Sequence, residues 1–295
     1  MRVLITGASG QLGSYLLQHY VQHGVPSVAW SGHRHGEQSG VELEPVDLTQ
    51  REQIEHHFND TKVDLIIHCA AISSLGEAYQ KQASARAINT EATARLAELA
   101  TGGHCRLVYI STDLVFDGEQ GNYREEDTPR PLSFYGHTKL DAEAAVLDSL
   151  RGLVIRISPL FGKSLIGRPT FLEQQLHAMR QGHACRLFDD EWRTPLDLET
   201  AATAIATAAQ SDAVGLLHLG GATKLSRLEM GLTIAKAAGL SAEAIEVVSR
   251  LSLDTAEPRP RDTSLNSDRF RRMFPQIRRP PLDESLARYL GVSQE

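Results

Sequence analysis

The sequence predicts an α/β fold: a doubly wound parallel sheet with a smaller C-terminal cap. Three observations carry that expectation. Short, branched, apolar runs alternate with helical patterns from residue 2 to residue 158, the rhythm of parallel strands joined by crossover helices. The first run, Arg2 to Thr6, passes directly into Gly7-Ala8-Ser9-Gly10-Gln11-Leu12-Gly13. Finally, the residues with chemistry to offer follow or close expected strands. They therefore gather along one edge of the sheet, where such folds bind ligands. After Pro159 the rhythm changes, so the main domain is expected over 1–160 and the cap over 161–295. The two are partly interleaved, with about 210–222 returning to the sheet.

Composition narrows the class. The 295 residues can bury a substantial core. A 41% apolar and 23% charged content is that of an ordinary globular protein. The net charge of -7 argues against a nucleic-acid partner. Cys69, Cys105 and Cys185 show no metal-ligand spacing and read as buried small hydrophobes. No apolar run reaches the ~18 residues of a membrane span, and Met1 leads straight into a strand without a secretory signal. These features point to a reducing, cytoplasmic setting.

The first strand, the glycine turn and the following helix, with Leu12, Tyr15, Leu16 and Tyr20 on one face, form a dinucleotide-type unit. Glycines let the backbone approach a pyrophosphate, and free N–H groups of the first helical turn bind its charge. An ordinary tight turn is the plainer alternative. The second strand is expected at Ser27 to Ser31. An NAD site places an acid at its end for the ribose hydroxyls, but the chain reads Gly32-His33-Arg34-His35, with no acid before Glu37. A carboxylate would repel a 2′-phosphate, whereas His33 and Arg34 attract it. NADP(H) is therefore expected, with NAD(H) possible; Arg34 as a solvated loop cation is the bland reading.

A third strand spans Val41 to Val46 and ends at Asp47-Leu48. Thr49 then reads as the N-cap of a helix to Phe58, with Glu52 completing a capping box. Lys62 to Ala71 is a near-continuous apolar strand, as in a sheet covered on both faces. It ends in Ala70-Ala71, small residues beside which a cofactor can pass. His68 inside it reads as a packed, hydrogen-bonded histidine rather than a base. Glu77 to Ala100 reads as one long helix with an apolar stripe at Ala85, Ile88, Ala92, Leu96 and Leu99. Asn89 lies beside that stripe, either as a water-holding site residue or as a satisfied structural amide.

The stretch from Val108 to Lys139 is the chemical centre. Its strand, Leu107 to Ser111, is followed by Thr112 and Asp113, and the stretch ends in Tyr135-x-x-x-Lys139. Residues four apart share a helix face, so a phenol and an ammonium sit side by side near the Thr112 hydroxyl. These are the groups a carbonyl reduction needs once a hydride is delivered. An isolated Tyr-x-x-x-Lys means little; after a nucleotide-type glycine turn it means more. A last strand of this half, Leu153 to Ser158, follows.

In the second half, helices are expected at Phe171 to Gln181, Glu199 to Ala209, Arg227 to Ala238, Asp268 to Met273 and Leu282 to Tyr289. Short strands are expected at Leu216 to Leu219, returning to the sheet, and at Ile245 to Val248. Ser73, Phe116, Trp192, Arg193 and Arg261 are candidates for the substrate pocket. A Trp can stack on a base or sugar and arginines can grip a diphosphate. The plainer reading is a core Trp and a surface ion pair.

With these residues in view, the chain resembles the extended short-chain dehydrogenase/reductases, and within them the dTDP-4-dehydrorhamnose reductase group. The resemblance covers nearly the whole chain. It rests on TGASGQLG (6–13), HCAA (68–71), STDLVFDG (111–118), YREEDTPRPLSFYGHTKLDAE (123–143), RISPLFG (156–162) and RPRDTSLNSDRF (259–270). It implies a Rossmann NAD(P)-binding domain and NADPH-dependent reduction of a keto group on a nucleotide sugar. It implies Thr112, Tyr135 and Lys139 as the catalytic triad, with Asp113 beside them. It places Gly7, Ser9, Gly10, Gln11, Leu12 and Gly13 under the pyrophosphate and Asp47 and Leu48 near the adenine. Cys69, Ala70, Ala71, Ser111 and Ser158 then lie along the cofactor, and Asn89 gains weight as a site residue. Leu114 departs from the group's usual tyrosine. No glutamate closely follows Gly13, where some members bind a bridging magnesium, so no metal is expected. A homodimer is compatible with the resemblance.

The YREED…FYGHTKLDAE stretch and the RPR motif fit the regulatory β subunit of methionine adenosyltransferase equally well. That protein keeps the fold and serves as a binding partner. Another nucleotide-sugar epimerase or dehydratase is a further alternative, although Thr112-Asp113-Leu114 lacks the Asp-Glu pair expected for dehydration.

Overall fold

The computed structural model describes residues 1–252 and 254–291. In chain order the first half carries β1 (Val3–Thr6), α1 (Gln11–Gln22), β2 (Ser27–Ser31), β3 (Glu37–Gln38), β4 (Val41–Pro45), α2 (Arg51–Asp60) and β5 (Leu65–His68). Then come α3 (Leu75–Gln80), α4 (Gln82–Arg86), α5 (Ala92–Gly102), β6 (Arg106–Thr112), α6 (Phe134–Leu147) and β7 (Leu153–Ile157). The second half adds β8 (Leu160–Phe161), α7 (Phe171–Arg180), β9 (Cys185–Phe188), β10 (Trp192–Arg193), β11 (Leu196–Asp197), α8 (Leu198–Gln210) and β12 (Gly215–Leu219). It closes with β13 (Leu225–Ser226), α9 (Arg227–Ala237), β14 (Ile245–Val248), α10 (Asp268–Met273) and α11 (Leu282–Leu290).

The main sheet runs β12-β7-β6-β5-β1-β2-β4-β3. Its pairs are parallel except the short β3–β4 hairpin. The strand order reverses at β1, which lies between β2 and β5, so the crevice of this sheet opens above Thr6. The doubly wound α/β fold is as the sequence predicts. β12 comes from the second half of the chain yet pairs with β7, in register from Gly215–Leu153 to Leu219–Ile157.

Alternation along β1 builds the two layers. Val3 and Ile5 face α1 and α8, packing with Leu16, Leu17, Ala204 and Ile205. Leu4 faces the other way, with Ile54, Phe58, Leu96 and Val146 from α2, α5 and α6. Burying each of these large side chains contributes roughly 1.5–3 kcal/mol. The cap has its own core, in which Phe161, Leu172 and Leu176 meet Met230, Ile234, Leu282 and Leu286.

Three local expectations are corrected. Thr49 is not an N-cap: its hydroxyl donates to Asp47 Oδ1 (2.8 Å), and Gln50 precedes α2 with no side-chain cap. The stretch 77–100 is not one helix. It starts two residues earlier, at Leu75, breaks at Lys81 and carries a π-helical turn at Ala87–Glu91 before α5. The strand expected over 62–71 pairs only from Leu65 to His68, after which the chain leaves the sheet beneath the crevice. Among the described residues no helix is long and apolar enough to cross a membrane.

Candidate active site

The glycine turn is built by contact, not only by flexibility. Gly7 sits at φ +67, where a side chain is strained, and a Cβ there would lie 2.7 Å from the Ala70 nitrogen. A Cβ on Gly13 would lie 2.2 Å from the Gly7 oxygen. α1 is therefore pulled tight against the end of β1. No side chain caps its N-terminus and no acid stands in its first turn. Free N–H groups and the positive end of the helix thus face the crevice, a surface suited to a pyrophosphate.

That surface forms part of a cleft of about 1130 Å³, slightly above the usual ligand-pocket range (~300–1,000 Å³). Thr6, Gly7, Ser9, Gly10, Gln11, Leu12 and Gly13 line its middle. At one end are Trp30, Ser31, His33, Arg34, Asp47 and Leu48; at the other are Cys69, Ala70, Ala71, Ser111 and Ser158. Ser31 Oγ donates to the Arg34 carbonyl (2.5 Å), which folds the loop after β2 back over the strand end. The Ser111 and Ser158 hydroxyls are engaged elsewhere. Ser111 Oγ donates to Glu143 Oε1 (2.5 Å), and Ser158 Oγ accepts from Thr194 N (3.1 Å).

Thr112, Asp113, Tyr135 and Lys139 line the same cleft. Ser133 starts α6 by accepting from Gly136 N (3.1 Å). Gly136 then packs against the turn after β6, where a Cβ would stand 2.3 Å from the Leu114 oxygen. That close approach carries Tyr135 beside Thr112, whose hydroxyl acts on the phenol's protonation. Thr112 Oγ1 also accepts from Leu114 N (3.2 Å) and donates to Asp113 Oδ1 (3.3 Å). Lys139 follows one turn later, with its ammonium over the Tyr109 ring at 4.1 Å.

Burial dominates the protonation of this group. It pushes the Tyr135 phenol well above its usual 10, against a partial lowering by Thr112. It pulls Lys139 down to about 7, with Cys69 and Glu143 acting the other way. A cation one helical turn away is a common way to lower a phenol's pKa. In the fold the groups acting on Tyr135 are burial, Thr112 and Asp113, so the phenol keeps its proton at neutral pH.

His68 is a packed histidine. Its Nε2 meets Thr93 Oγ1 (2.9 Å), which itself donates to the Asn89 carbonyl (2.7 Å). Thr93 must therefore accept from His68 Nε2–H, and Nδ1 accepts from Thr6 Oγ1 (2.6 Å). Burial brings this ring down to about 3. Cys69 is only partly exposed, on the cleft wall, whereas Cys105 and Cys185 are buried.

Several expected site residues are placed away from the cleft. The π-turn swings Asn89 under residue 72. Its Oδ1 accepts from Ile72 N (2.8 Å), and its Nδ2 donates to Ile72 O (3.1 Å) and Thr138 Oγ1 (2.9 Å). It is a satisfied structural amide beneath the cleft floor. Phe116 is buried, stacked on Tyr123 at 4.0 Å. Trp192 pairs with β13, and Arg261 donates to the Glu119 carbonyl (2.8 Å). Arg193 is buried between Asp113 and Glu191. Of the five substrate-pocket candidates only Ser73 lines the cleft. A strand or loop position does not tell which way a side chain turns: Phe116 and Arg193 turn into buried positions, whereas Trp192 and Arg261 turn aside from the cleft.

Sequence reading missed Leu114, Ile166, Arg168, Phe171 and Gln174 on the far wall. Apart from Leu114 they come from the cap, in a segment without a motif. It also missed the buried pair under the site, where Arg156 Nη2 meets Glu143 Oε2 at 2.7 Å. Here a signal existed: a charge inside the apolar run of β7 must find a partner.

Fold and cleft together define a Rossmann-type α/β protein of the extended short-chain dehydrogenase/reductase kind. The chain belongs to the family described as RmlD substrate binding domain, whose model matches residues 1–294. It is 30% identical over 273 residues to the probable low-salt glycan biosynthesis reductase Agl14 of Haloferax volcanii, covering 90% of each chain. It is also 30% identical over 288 residues to methionine adenosyltransferase 2 subunit beta of Bos taurus, covering 91% of this chain and 81% of the relative. The dTDP-4-dehydrorhamnose reductase of Bacillus anthracis, solved with NADP, superposes with a TM-score of 0.86 at 23% identity, covering 99% of each chain; that likeness concerns the fold.

Proposed function

We propose that the protein reduces a keto group on a nucleotide-activated sugar with NADPH, in the manner of a dTDP-4-dehydrorhamnose reductase. One observation carries this reading: Thr112, Tyr135 and Lys139 line the same cleft as the uncapped N-terminus of α1. NADPH, when bound, supplies the hydride. The residues fit it, since the helix end accepts a pyrophosphate and Arg34 stands where a 2′-phosphate needs a cation.

The protein's own groups supply the rest. Thr112 holds the carbonyl oxygen on which charge develops. Tyr135 donates a proton to that oxygen, and a phenol kept protonated by burial is in the correct form for reduction. Lys139, protonated as ligand charge approaches, stabilises the phenolate left behind. Asp113 anchors Thr112. Leu114 and Ser73 line the cleft near the catalytic groups, and Ile166, Phe171 and Gln174 add to its lining from the cap.

The test is NADPH oxidation against a panel of 4-keto nucleotide sugars that includes dTDP-4-keto-rhamnose. Turnover of at least one supports the reductase. A second reading, a non-catalytic NADP-binding regulator, is favoured by the equal similarity to the methionine adenosyltransferase β subunit. It predicts NADPH binding without turnover and capture of a methionine adenosyltransferase in a pull-down. Turnover without capture rejects it.

A further inference from the structure

The cap closes over the cleft through one loop, residues 162–170. Thr170 Oγ1 donates to the Gly162 carbonyl (2.7 Å) and ties the ends together. Three side chains of the first half hold the loop by its carbonyls. Gln11 Nε2 donates to Arg168 O (2.6 Å), Tyr15 Oη to Lys163 O (2.8 Å) and Gln38 Nε2 to Leu165 O (3.3 Å). Gln11 is the first residue of α1, so Arg168 is fixed next to the uncapped helix end. Its carbonyl is held and its exposed side chain lines the cleft. Among the described residues, the lysines and arginines lining the cleft are Arg34, Lys139 and Arg168. Arg34 stands at the adenine end and Lys139 at the catalytic end. That leaves Arg168 facing the middle.

We infer that Arg168 is the counter-charge for a diphosphate in this cleft, and that the 162–170 loop is a clasp that retains the dinucleotide by its pyrophosphate. The inference rests on the dinucleotide reading above and extends it with a residue contributed by the cap. A pyrophosphate seated on α1 has one side against the helix N–H groups and needs a cation on the other, because helix-end groups leave part of its charge unmatched. The loop has room to open. Behind it lies a second cavity of about 470 Å³ bounded by Ser164, Gly167, Pro169 and Glu173. Gly162 and Gly167 hold positive φ of +145 and +74, positions at which the chain can pivot without a Cβ clash.

The test compares wild type with Arg168→Gln and Tyr15→Phe, using NADPH fluorescence on the full chain. Arg168→Gln should weaken NADPH at least tenfold and reduce the salt dependence of its Kd. It should leave adenosine 2′-monophosphate, which has no pyrophosphate, unaffected. Tyr15→Phe removes one clasp bond without touching the cleft wall and should speed NADPH dissociation several-fold. If wild type binds neither NADPH nor NADH, the dinucleotide reading itself fails. If wild type binds and Arg168→Gln binds equally across the salt range, the clasp is rejected while the dinucleotide reading stands. A loss confined to dTDP, with NADPH unchanged, would give Arg168 to the substrate's diphosphate and likewise overturn the assignment. Equal weakening of NADPH and adenosine 2′-monophosphate would signal a general disturbance and also reject it.

Discussion

Arg193 Nε stands 3.4 Å from Asp113 Oδ2, with both side chains almost fully buried. Asp113 is the neighbour of Thr112, whereas Arg193 belongs to the cap. The contact joins the end of β6 to the second half of the chain. Thr263 Oγ1 adds a bond to the same carboxylate oxygen (2.9 Å). Arg193 continues to Glu191, which also meets Arg227 (2.9 Å) and Arg259 (2.8 Å). Burial pushes the Glu191 carboxyl up, but the three guanidiniums outweigh it and hold it at about 2.

Replacing Arg193 with Met should therefore leave two buried carboxylates short of a cation. Breaking a buried pair in this way costs about 3–5 kcal/mol. The urea midpoint should fall accordingly, and turnover should fall further than NADPH affinity because Thr112 loses its support. A midpoint equal to wild type would show that the network contributes nothing to stability.

Tyr135→Phe removes the proton donor and keeps the ring. Reduction should fall by roughly 10²–10⁴-fold, while the NADPH Kd measured by fluorescence changes little. Near-wild-type turnover in this variant rejects the role given to the phenol.

Arg34→Ala should lower kcat/KM for NADPH by about tenfold, through loss of a charge-assisted contact, and leave NADH largely unaffected. The ratio of the two, measured on one substrate, is the readout. No change in the ratio means that Arg34 is a solvated loop cation.

Lys139 predicts a pH signature. Its folded-state pKa of about 7 lies below the ordinary 10.5 because burial disfavours the ammonium. At pH 8 most of the cofactor-free protein carries neutral Lys139, whereas a bound polyanion favours the charged form. Binding NADPH should take up a fraction of a proton at pH 8 and much less at pH 6. Calorimetry in buffers of different ionisation heat measures this, and Lys139→Met should abolish the uptake. The stability linkage has a definite sign. The unfolded chain binds this proton between pH 7 and 10.5 and the fold does not, so Lys139 makes stability rise with pH across that window. His68, at about 3 in the fold, is neutral there, so its contribution is complete above about 6.5 and is lost as pH falls toward 3.

The sequence by itself determined the alternating fold, the glycine turn and the Thr112–Tyr135–Lys139 set. These depend on local rules: a period of two or of 3.6 residues, a backbone approach that only glycine allows, and a four-residue step along a helix. That the strand-end residues line one cleft was legible for the same reason, since residues at strand ends share one edge whatever the rest of the chain does. Asn89 was only half legible, because a π-turn of one extra residue decided which way its amide points.

Only the tertiary structure decided the far wall and the seam. Arg193 and Phe116 turn inward, Arg261 and Trp192 turn aside, and Arg168 reaches the cleft through a loop with no motif. Each position depends on how segments far apart in the chain meet at β12 and β7 and at the Asp113–Arg193 contact. Long-range packing of this kind leaves no period in a sequence. Burial, which sets the protons on Tyr135 and Lys139, exists only once those halves have closed.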